Sequence, residues 1–355
     1  MRPLGIFVVS RALVIVVSAI GASAQGLSLT NSLVVWDSRW YLMVAEHGYV
    51  HAIPPGSGNP AQSDLGFFPL FPILIRLVHF ASPFSWNITG LVTSFLVGAG
   101  ASIAVWWMVR DVYGSLGADR GTALIFFAPG AFVFSLVYSE GAILLFAALS
   151  ILALGRQRWI WAGLAAAAAT ATDPLGVVAV IPCVVACVGA IRTNREWKAL
   201  FAPLLAPLGV VAFFGYLWVH TGSPFEYFRA QRAGWQGGNV GASVPRAFEH
   251  FFQHGFVDPN YGIKAICIFG AVGLLVLFVR AHPPATWRGY VITALLFGVA
   301  SPLVSITPRL LERAFPLLGA VGASLSKRWF FVALSLSTAC LITCTVLLTA
   351  DNWTP

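Results

Sequence analysis

A polar and aromatic segment follows the first long apolar run and reads Val35-Trp36-Asp37-Ser38-Arg39-Trp40-Tyr41. The chain around it is 58% hydrophobic and 10% charged, with a mean hydropathy of +0.81. Because soluble domains carry about 25% charged residues, this composition predicts a polytopic membrane protein. The segment therefore stands where the chain first leaves the bilayer, and we expect chemistry around it.

Apolar runs that could each cross a bilayer recur along the chain, at about 20 residues per crossing. They predict an all-α protein whose 355 residues form a single transmembrane domain, residues 1–355, with about eleven helices. The predicted spans are Leu4–Ala24, Trp86–Val109, Gly121–Val137, Gly141–Leu154, Trp159–Thr172, Pro174–Ile191, Leu200–Val219, Lys264–Arg280, Gly289–Ser305, Leu310–Ser324 and Trp329–Thr349. The N-terminal run also resembles a secretory signal, but we expect it to be retained as the first helix.

Two longer segments are predicted as extracytoplasmic loops, residues 25–85 and 221–263. In the first, Phe67 to Ala81 is apolar but contains two prolines, which favours helices lying in the membrane interface. Lys and Arg recur in the short connections on the opposite side, as at Arg110, Arg120 and Arg156, so the positive-inside rule predicts a cytoplasmic N-terminus. Most acidic residues fall on the outer side, which indicates that the functional site lies there.

The 21 basic residues are scattered between apolar runs, which argues against nucleic-acid binding. All five cysteines lie within apolar runs, with no His or carboxylate nearby. We therefore interpret them as small packing residues, and we expect neither a disulfide nor a metal site.

Asp37 is the first candidate for catalysis. A carboxylate beside indole rings and lipid is a stronger base than one in water, because desolvation opposes its charged form. Asp is also a favoured N-cap, and a helix is predicted from Ser38 to Ala45. The local pattern leaves both roles open.

Two further carboxylates interrupt apolar runs. Glu140 follows Tyr138-Ser139 between two predicted spans, where a charge is expensive unless it is paired or functional; it could also cap the next helix. Asp173 precedes Pro174, and an N-cap role explains it well.

Cations on the proposed outer side complete the candidates. The second loop contains Gln231, Arg232 and Trp235, a mixture that suits a sugar or lipid phosphate as well as an ordinary interfacial loop. Arg309 lies in the segment Thr307-Pro308-Arg309-Leu310-Leu311-Glu312-Arg313. Its guanidinium suits a phosphate, although a simple Arg–Glu pair at a helix end is the alternative.

Together these motifs resemble the PIG-V family, the GPI mannosyltransferase II-type branch of the GT-C glycosyltransferases. The resemblance runs in order from residue 36 to residue 316. It is carried by Trp36-Asp37 with Tyr41, by Phe67-Phe68-Pro69-Leu70-Phe71-Pro72, by Pro129 with Tyr138-Ser139-Glu140, by Gly222-Ser223-Pro224-Phe225 with Gln231 and Trp235, and by Arg309 with Phe315-Pro316.

The resemblance implies a GT-C fold and an enzyme that transfers mannose, with inversion, from a polyprenyl-phosphate donor to a hydroxyl of an extracytoplasmic lipid, glycan or protein. It implies Asp37 as the general base. The donor phosphate would be neutralised by Arg309, Arg232 and Lys264, without a metal or other cofactor, and the substrates would contact Trp36, Arg39, Tyr41, Phe68, Glu140, Gln231 and Trp235.

The chain departs from the family pattern at two places. Asp173 stands where the family carries an arginine, and Ser38 follows Trp36-Asp37 where the family carries a histidine. The compact, Ala-rich sequence looks prokaryotic, so a bacterial plasma membrane is expected as its location. Two alternatives remain, namely a carrier or flippase for lipid-linked sugars and a catalytically silent assembly subunit.

Overall fold

The computed structural model describes residues 2–53, 62–235, 243–255, 259–300 and 307–350. Within these ranges the chain forms helices and turns without a strand, so the predicted all-α class is confirmed there. The α-helices are α1 (Arg2–Ala24), α2 (Leu29–Leu33), α3 (Ser38–His47), α4 (Leu70–Phe80), α5 (Trp86–Phe126), α6 (Glu140–Gly155), α7 (Trp159–Thr170), α8 (Val180–Asn194), α9 (Phe201–Leu205), α10 (Leu208–Thr221), α11 (Glu226–Trp235), α12 (Ser243–His254), α13 (Pro259–Arg280), α14 (Ala285–Ala300), α15 (Pro308–Arg313), α16 (Phe315–Ser324) and α17 (Lys327–Thr349). Short 3₁₀ helices span Asp64–Gly66, Pro129–Ser135, Pro174–Ala179 and Trp197–Leu200.

The chain is an integral membrane protein. Six described segments are long and apolar enough to cross a bilayer: Arg2–Ala24, Trp86–Phe126, Pro174–Asn194, Trp197–Thr221, Gly262–Arg280 and Lys327–Thr349. A seventh results if Pro129–Ser135 and Glu140–Gly155, which are bent by 106° to each other, form one broken span. The apolar helices α4, α7, α14 and α16 are shorter, so the count of about eleven crossings stays a prediction.

Helix α5 reverses direction at Gly114. The indole N–H of Trp106 donates to Asp119 Oδ1 at 2.8 Å, whereas residues thirteen apart in a straight helix are separated by about 20 Å. Gly114 has φ of 75°, a left-handed conformation that glycine adopts without steric cost. The reversal separates the two spans that the sequence predicts on either side of Arg110 and Arg120.

The predicted span Gly121–Val137 is wrong as one continuous helix, because α5 ends at Phe126 and a 3₁₀ helix starts at Pro129. Proline lacks the amide donor and clashes with the preceding turn, so the α-helix stops before it. The Arg11 guanidinium, which is buried, donates to the carbonyls of Phe126 and Ala131. Arg11 thus satisfies backbone acceptors that the break leaves without a helical partner.

The predicted span Leu310–Ser324 is also divided, into α15 and α16. Pro316 has no amide hydrogen to donate to the carbonyl of Glu312, four residues earlier, so a continuous helix loses a bond there. The short helix α15 can therefore take its own direction at the end of the bundle.

Polar contacts define the two ends of the helical bundle. At one end Arg2 pairs with Asp119 at 2.9 Å and Arg156 pairs with Asp111 at 2.8 Å. Helix α6 runs from there to Glu140 at the other end, about 24 Å away at 1.5 Å per residue. Three of the basic segments that the sequence assigns to one side, those of Arg2, of Arg110 to Arg120 and of Arg156, meet at one end.

Backbone contact fixes α15 against the 3₁₀ helix Pro129–Ser135. A Cβ atom on Gly130 would lie 2.1 Å from the carbonyl oxygen of Pro308, closer than any side chain can approach. Only glycine therefore allows these two elements to touch. The contact sets the position of α15 relative to the start of α6.

We expect Gly130→Ala to destabilise the detergent-purified protein by about 1–3 kcal/mol, since overpacking forces the backbone apart. Thermal unfolding followed by circular dichroism measures the change. The matched control is Gly155→Ala, because a Cβ at Gly155 meets nothing within 4 Å. Equal melting temperatures for the two variants would contradict the assignment.

Candidate active site

Asp37 lies at the turn that leads into α3, and its side chain faces another element. The preceding Trp36 has φ of 51°, an uncommon conformation for a residue with a side chain. The Asp37 carboxylate makes no capping hydrogen bond to α3. Its Oδ2 instead accepts a hydrogen bond from Arg309 Nη1 at 3.0 Å. The capping interpretation of Asp37 is therefore wrong, and the carboxylate is paired across the fold.

Arg309 begins a chain of alternating charges. Its Nε donates to Glu140 Oε1, which also accepts from Arg313 Nη2 at 2.6 Å. Arg313 continues to Asp173, with distances of 3.0 Å to Oδ1 and 3.1 Å to Oδ2. We call Asp37, Arg309, Glu140, Arg313 and Asp173 the charge ladder. It joins residues from the start of α3, α15, the start of α6 and the segment after α7.

Burial changes along the charge ladder. The side chain of Glu140 is 1% exposed, that of Arg309 17% and that of Asp37 28%. Asp37 is thus the most accessible carboxylate of the ladder. Burial opposes the charge of Arg309, but Glu140 and Asp37 outweigh it and hold its pKa well above the ordinary value. Arg309 stays a cation, and removing one partner of such a pair costs about 3–5 kcal/mol.

Hydroxyl groups tie the charge ladder to α3. Ser139 Oγ donates to Asp173 Oδ2 at 3.4 Å, and the Tyr41 hydroxyl lies 2.9 Å from Ser139 Oγ. Burial, reinforced by the nearby Asp173 charge, raises the pKa of Tyr41 well above its ordinary value. The hydroxyl therefore remains a neutral donor or acceptor beside the ladder.

Asp173 has two roles at once. Its Oδ1 accepts from the amide of Leu175 at 2.9 Å, which confirms the predicted N-cap. The same carboxylate also receives Arg313. The local sequence indicates only the first role, because Arg313 is 140 residues away from Asp173.

The second predicted loop reaches this region through α11. Gln231 Nε2 donates to the carbonyl of Gly66 at 2.9 Å. Burial raises the pKa of Tyr227 above its ordinary value. The charge of Asp173 adds to this increase, and the charge of Arg313 opposes it. Phe68 is 2% exposed and packs against Tyr227, with ring centres 5.4 Å apart. These contacts hold α11 beside the ladder.

Three further predicted site residues, Arg232, Lys264 and Arg39, lie outside the charge ladder. Arg232 is exposed on α11 and donates to Phe228 of its own helix, while Lys264 is half-buried on α13. Arg39 is exposed on α3, two residues from Asp37 and so about 200° around the helix. Trp235 ends α11, and its side chain lies outside the part of the structure described.

Arg313 is the residue that sequence reasoning missed. The predicted alternative for Arg309, a simple Arg–Glu pair at the helix end, is not formed with Glu312, since Arg309 pairs with Glu140 and Asp37. The signal was present, because Arg309 and Arg313 are four apart and share one helix face. Both carboxylate partners of Arg313, Glu140 and Asp173, come from distant segments. The sequence does not show that these segments are near α15.

Glu312 is buried beside the ladder without a hydrogen bond to either carboxylate oxygen from a described residue. Burial raises its pKa well above the ordinary value of 4.5, and the nearby charge of Arg11 only partly opposes this. Burial therefore favours the protonated form of Glu312 in the folded protein. An ionised carboxylate at this position would be costly.

We expect the stability of the wild-type protein to fall as the pH rises above about 4.5 toward the higher folded-state pKa of Glu312. The folded state keeps a proton that the unfolded state has lost, so this contribution declines by about 1.4 kcal/mol per pH unit. Thermal melting between pH 5 and about 8 measures it. Glu312→Gln should remove the slope and melt higher at the alkaline end. Glu249→Gln, at an exposed carboxylate on α12, serves as the control, and equal slopes in both variants would refute the assignment.

In comparisons of sequence, neither a family model nor a curated protein matches the chain. Solved structures do match its fold. ArnT from Cupriavidus metallidurans bound to undecaprenyl phosphate superposes with a TM-score of 0.58 at 15% identity, covering 94% of this chain and 63% of ArnT. The apo state of the same protein superposes with a TM-score of 0.53 at 14% identity, covering 83% of this chain and 55% of ArnT. The apo oligosaccharyltransferase of Archaeoglobus fulgidus superposes with a TM-score of 0.54 at 12% identity, covering 99% of this chain and 56% of the oligosaccharyltransferase.

These structural neighbours are glycosyltransferases of the GT-C fold, and this chain shares that fold. The chain spans less than two thirds of the length of each neighbour. The fold class is therefore an all-α, GT-C-like integral membrane domain.

Proposed function

We propose that the chain is a membrane glycosyltransferase. It moves a sugar, with inversion, from a polyprenyl-phosphate-linked donor to a hydroxyl of an extracytoplasmic lipid, glycan or protein acceptor. The observation that carries the proposal is the ion pair between Asp37 and Arg309, which are 272 residues apart in the sequence. It unites a base and an anion-binding group in a fold shared with a protein bound to undecaprenyl phosphate.

Asp37 is the general base of the proposed reaction. It is the most exposed carboxylate of the charge ladder, so an acceptor hydroxyl can approach it more readily than Glu140 or Asp173. As the acceptor oxygen forms its bond to the anomeric carbon, the hydroxyl proton passes to Asp37. The bond from that carbon to the phosphate oxygen breaks, and the lipid phosphate leaves. Base catalysis of this kind contributes about 10²–10⁴ in rate.

Arg309 is the proposed ligand of the leaving phosphate. Its Nε is bonded to Glu140 and its Nη1 to Asp37, whereas a guanidinium carries five N–H donors. A donor phosphate therefore takes the remaining donors and competes with Asp37 for Nη1. Binding of the donor weakens the hold of Arg309 on Asp37, which makes the carboxylate a better base when the substrate is present.

Glu140 and Arg313 position Arg309. Glu140 fixes the guanidinium through Nε, and Arg313 holds Glu140 in turn through Oε1. Arg313 itself is 10% exposed and bonded to two carboxylates, so its role is to orient the others. Arg232 and Lys264 remain proposed phosphate contacts. They have less support than Arg309, because neither belongs to the charge ladder.

The proposed membrane topology has about eleven crossings, a cytoplasmic N-terminus and Asp37 on the far side of a bacterial plasma membrane. The grouping of Arg2, Arg120 and Arg156 at the end opposite Glu140 supports this orientation through the positive-inside rule. Mannose is the proposed sugar, on the resemblance to the PIG-V family alone. Trp36, Tyr41, Phe68, Gln231 and Trp235 complete the proposed substrate surroundings.

A carrier or flippase would need charged groups along a path through the membrane. Arg11 is the cation in the middle of α1, and its donors are taken by carbonyls and by the hydroxyls of Ser10 and Ser135. These contacts support a structural role for Arg11. The transferase is accordingly the better supported of the two functions.

We expect Asp37→Asn to lower sugar transfer at least 10²-fold while the protein stays folded and binds donor, because the amide cannot accept the proton. Radiolabelled polyprenyl-phosphate-mannose is incubated with purified protein and membrane extract, and labelled products are separated by chromatography. Asp111→Asn, at the other end of the bundle, is the matched control. Transfer by Asp37→Asn at the wild-type rate would contradict the proposed mechanism.

We expect EDTA to leave transfer unchanged, since side-chain cations can neutralise a lipid monophosphate without a metal. The same assay with EDTA, and then with added Mg²⁺ or Mn²⁺, tests this. Loss of transfer in EDTA that either metal restores would overturn the metal-free mechanism.

A further inference from the structure

A cleft of about 690 Å³ opens on the side of α3 that faces away from the charge ladder. Its walls come from the C-terminal ends of α1 and α17, from α2, from the first turn of α5 and from one face of α3. Arg39, Met43 and Glu46 line it from α3, at spacings of three and four residues. Asp37 and Tyr41 lie about half a helical turn away. The cleft is therefore separate from the site described above.

The cleft lining includes a cation, Arg39, that has no carboxylate partner among the described residues. Among the described residues, Asp37 pairs with Arg309 at 3.0 Å, and Glu46, which also lines the cleft, lies 3.8 Å from His47. Arg39 itself is exposed. Its guanidinium offers a fork of donors that matches a phosphate.

Other groups in the cleft favour the same ligand. Asn87 lies in the first turn of α5, where the free amides and the helix dipole favour an anion. The Gln25 side chain donates to the carbonyl of Thr349, which joins α1 to α17 and satisfies an acceptor at the negative end of α17. Asn31 adds a neutral amide. These polar groups of the lining suit a phosphate with a hydroxylated headgroup.

Another part of the lining is apolar and open. Leu27 is 46% exposed and Met43 43% exposed, and both line the cleft. In a membrane protein such a wall suits a hydrocarbon chain. The volume also falls within the range of about 300–1,000 Å³ that is usual for small-molecule sites.

We propose that this cleft binds an anionic lipid, with its phosphate on Arg39 and the start of its chains against Leu27 and Met43. The site uses no residue of the charge ladder, although Arg39 is also among the substrate contacts that the sequence predicts. The phosphate can come from a membrane phospholipid or from a polyprenyl phosphate, since both present the same group to Arg39.

Native mass spectrometry of the full-length, delipidated protein tests the site with three probes: phosphatidylglycerol, undecaprenyl phosphate and diacylglycerol. We expect the phosphate-bearing probes to be retained and diacylglycerol to be lost. Arg39→Gln should weaken phosphatidylglycerol binding about tenfold, as expected for one charge-assisted hydrogen bond. Arg192→Gln, an exposed arginine at the end of α8, carries the same charge change and should bind as wild type.

Two further variants separate this cleft from the charge ladder. Met43→Trp fills the apolar wall and should lose phosphatidylglycerol even with Arg39 intact, whereas Arg309→Gln should retain it. Preferential binding of one phosphate-bearing probe identifies the source of the ligand. Equal retention of diacylglycerol, or wild-type binding by both Arg39→Gln and Met43→Trp, would overturn the proposal.

Discussion

Charges buried at one end of a membrane domain must be paired, and this requirement organises the structure. An isolated ion in a medium of low polarity is prohibitively costly, whereas an alternating series offsets the cost of desolvation. Asp37, Arg309, Glu140, Arg313 and Asp173 form such a series. Because the five members come from four segments that are far apart in the sequence, the series also fixes how those segments meet. Pairing thus couples the tertiary fold to the proposed chemistry.

Breaks in the helices make that meeting possible. Pro129 ends a regular helix and lets the chain turn before Glu140, and Pro316 separates the short helix α15 from α16. Gly130 then allows the backbone of Pro308 to approach within contact. Irregular backbone in a membrane protein is tolerated where protein groups satisfy it, and Arg11 supplies donors for this purpose. The placement of the arginines of α15 therefore depends on three residues that carry no charge.

Composition and apolar run lengths predicted the membrane class and the all-helical fold, because those properties depend on local sequence. The predicted spans at Gly121–Val137 and Leu310–Ser324 were wrong in detail, since hydropathy does not register a proline-induced change of direction. Local patterns offered capping roles for Asp37 and Asp173 alike, and only the tertiary structure distinguishes them: Asp173 caps its helix and Asp37 does not. The partnership of Arg313 with Glu140 and Asp173 could not be predicted, because pairing across more than a hundred residues leaves no local pattern.

The five members of the charge ladder do not balance. Three carboxylates face two guanidinium groups, so with all five ionised the group is one positive charge short of electroneutrality. Asp37 is the member of the ladder most open to the surroundings. One further positive charge, such as a proton taken from an acceptor hydroxyl, would bring the group to zero net charge.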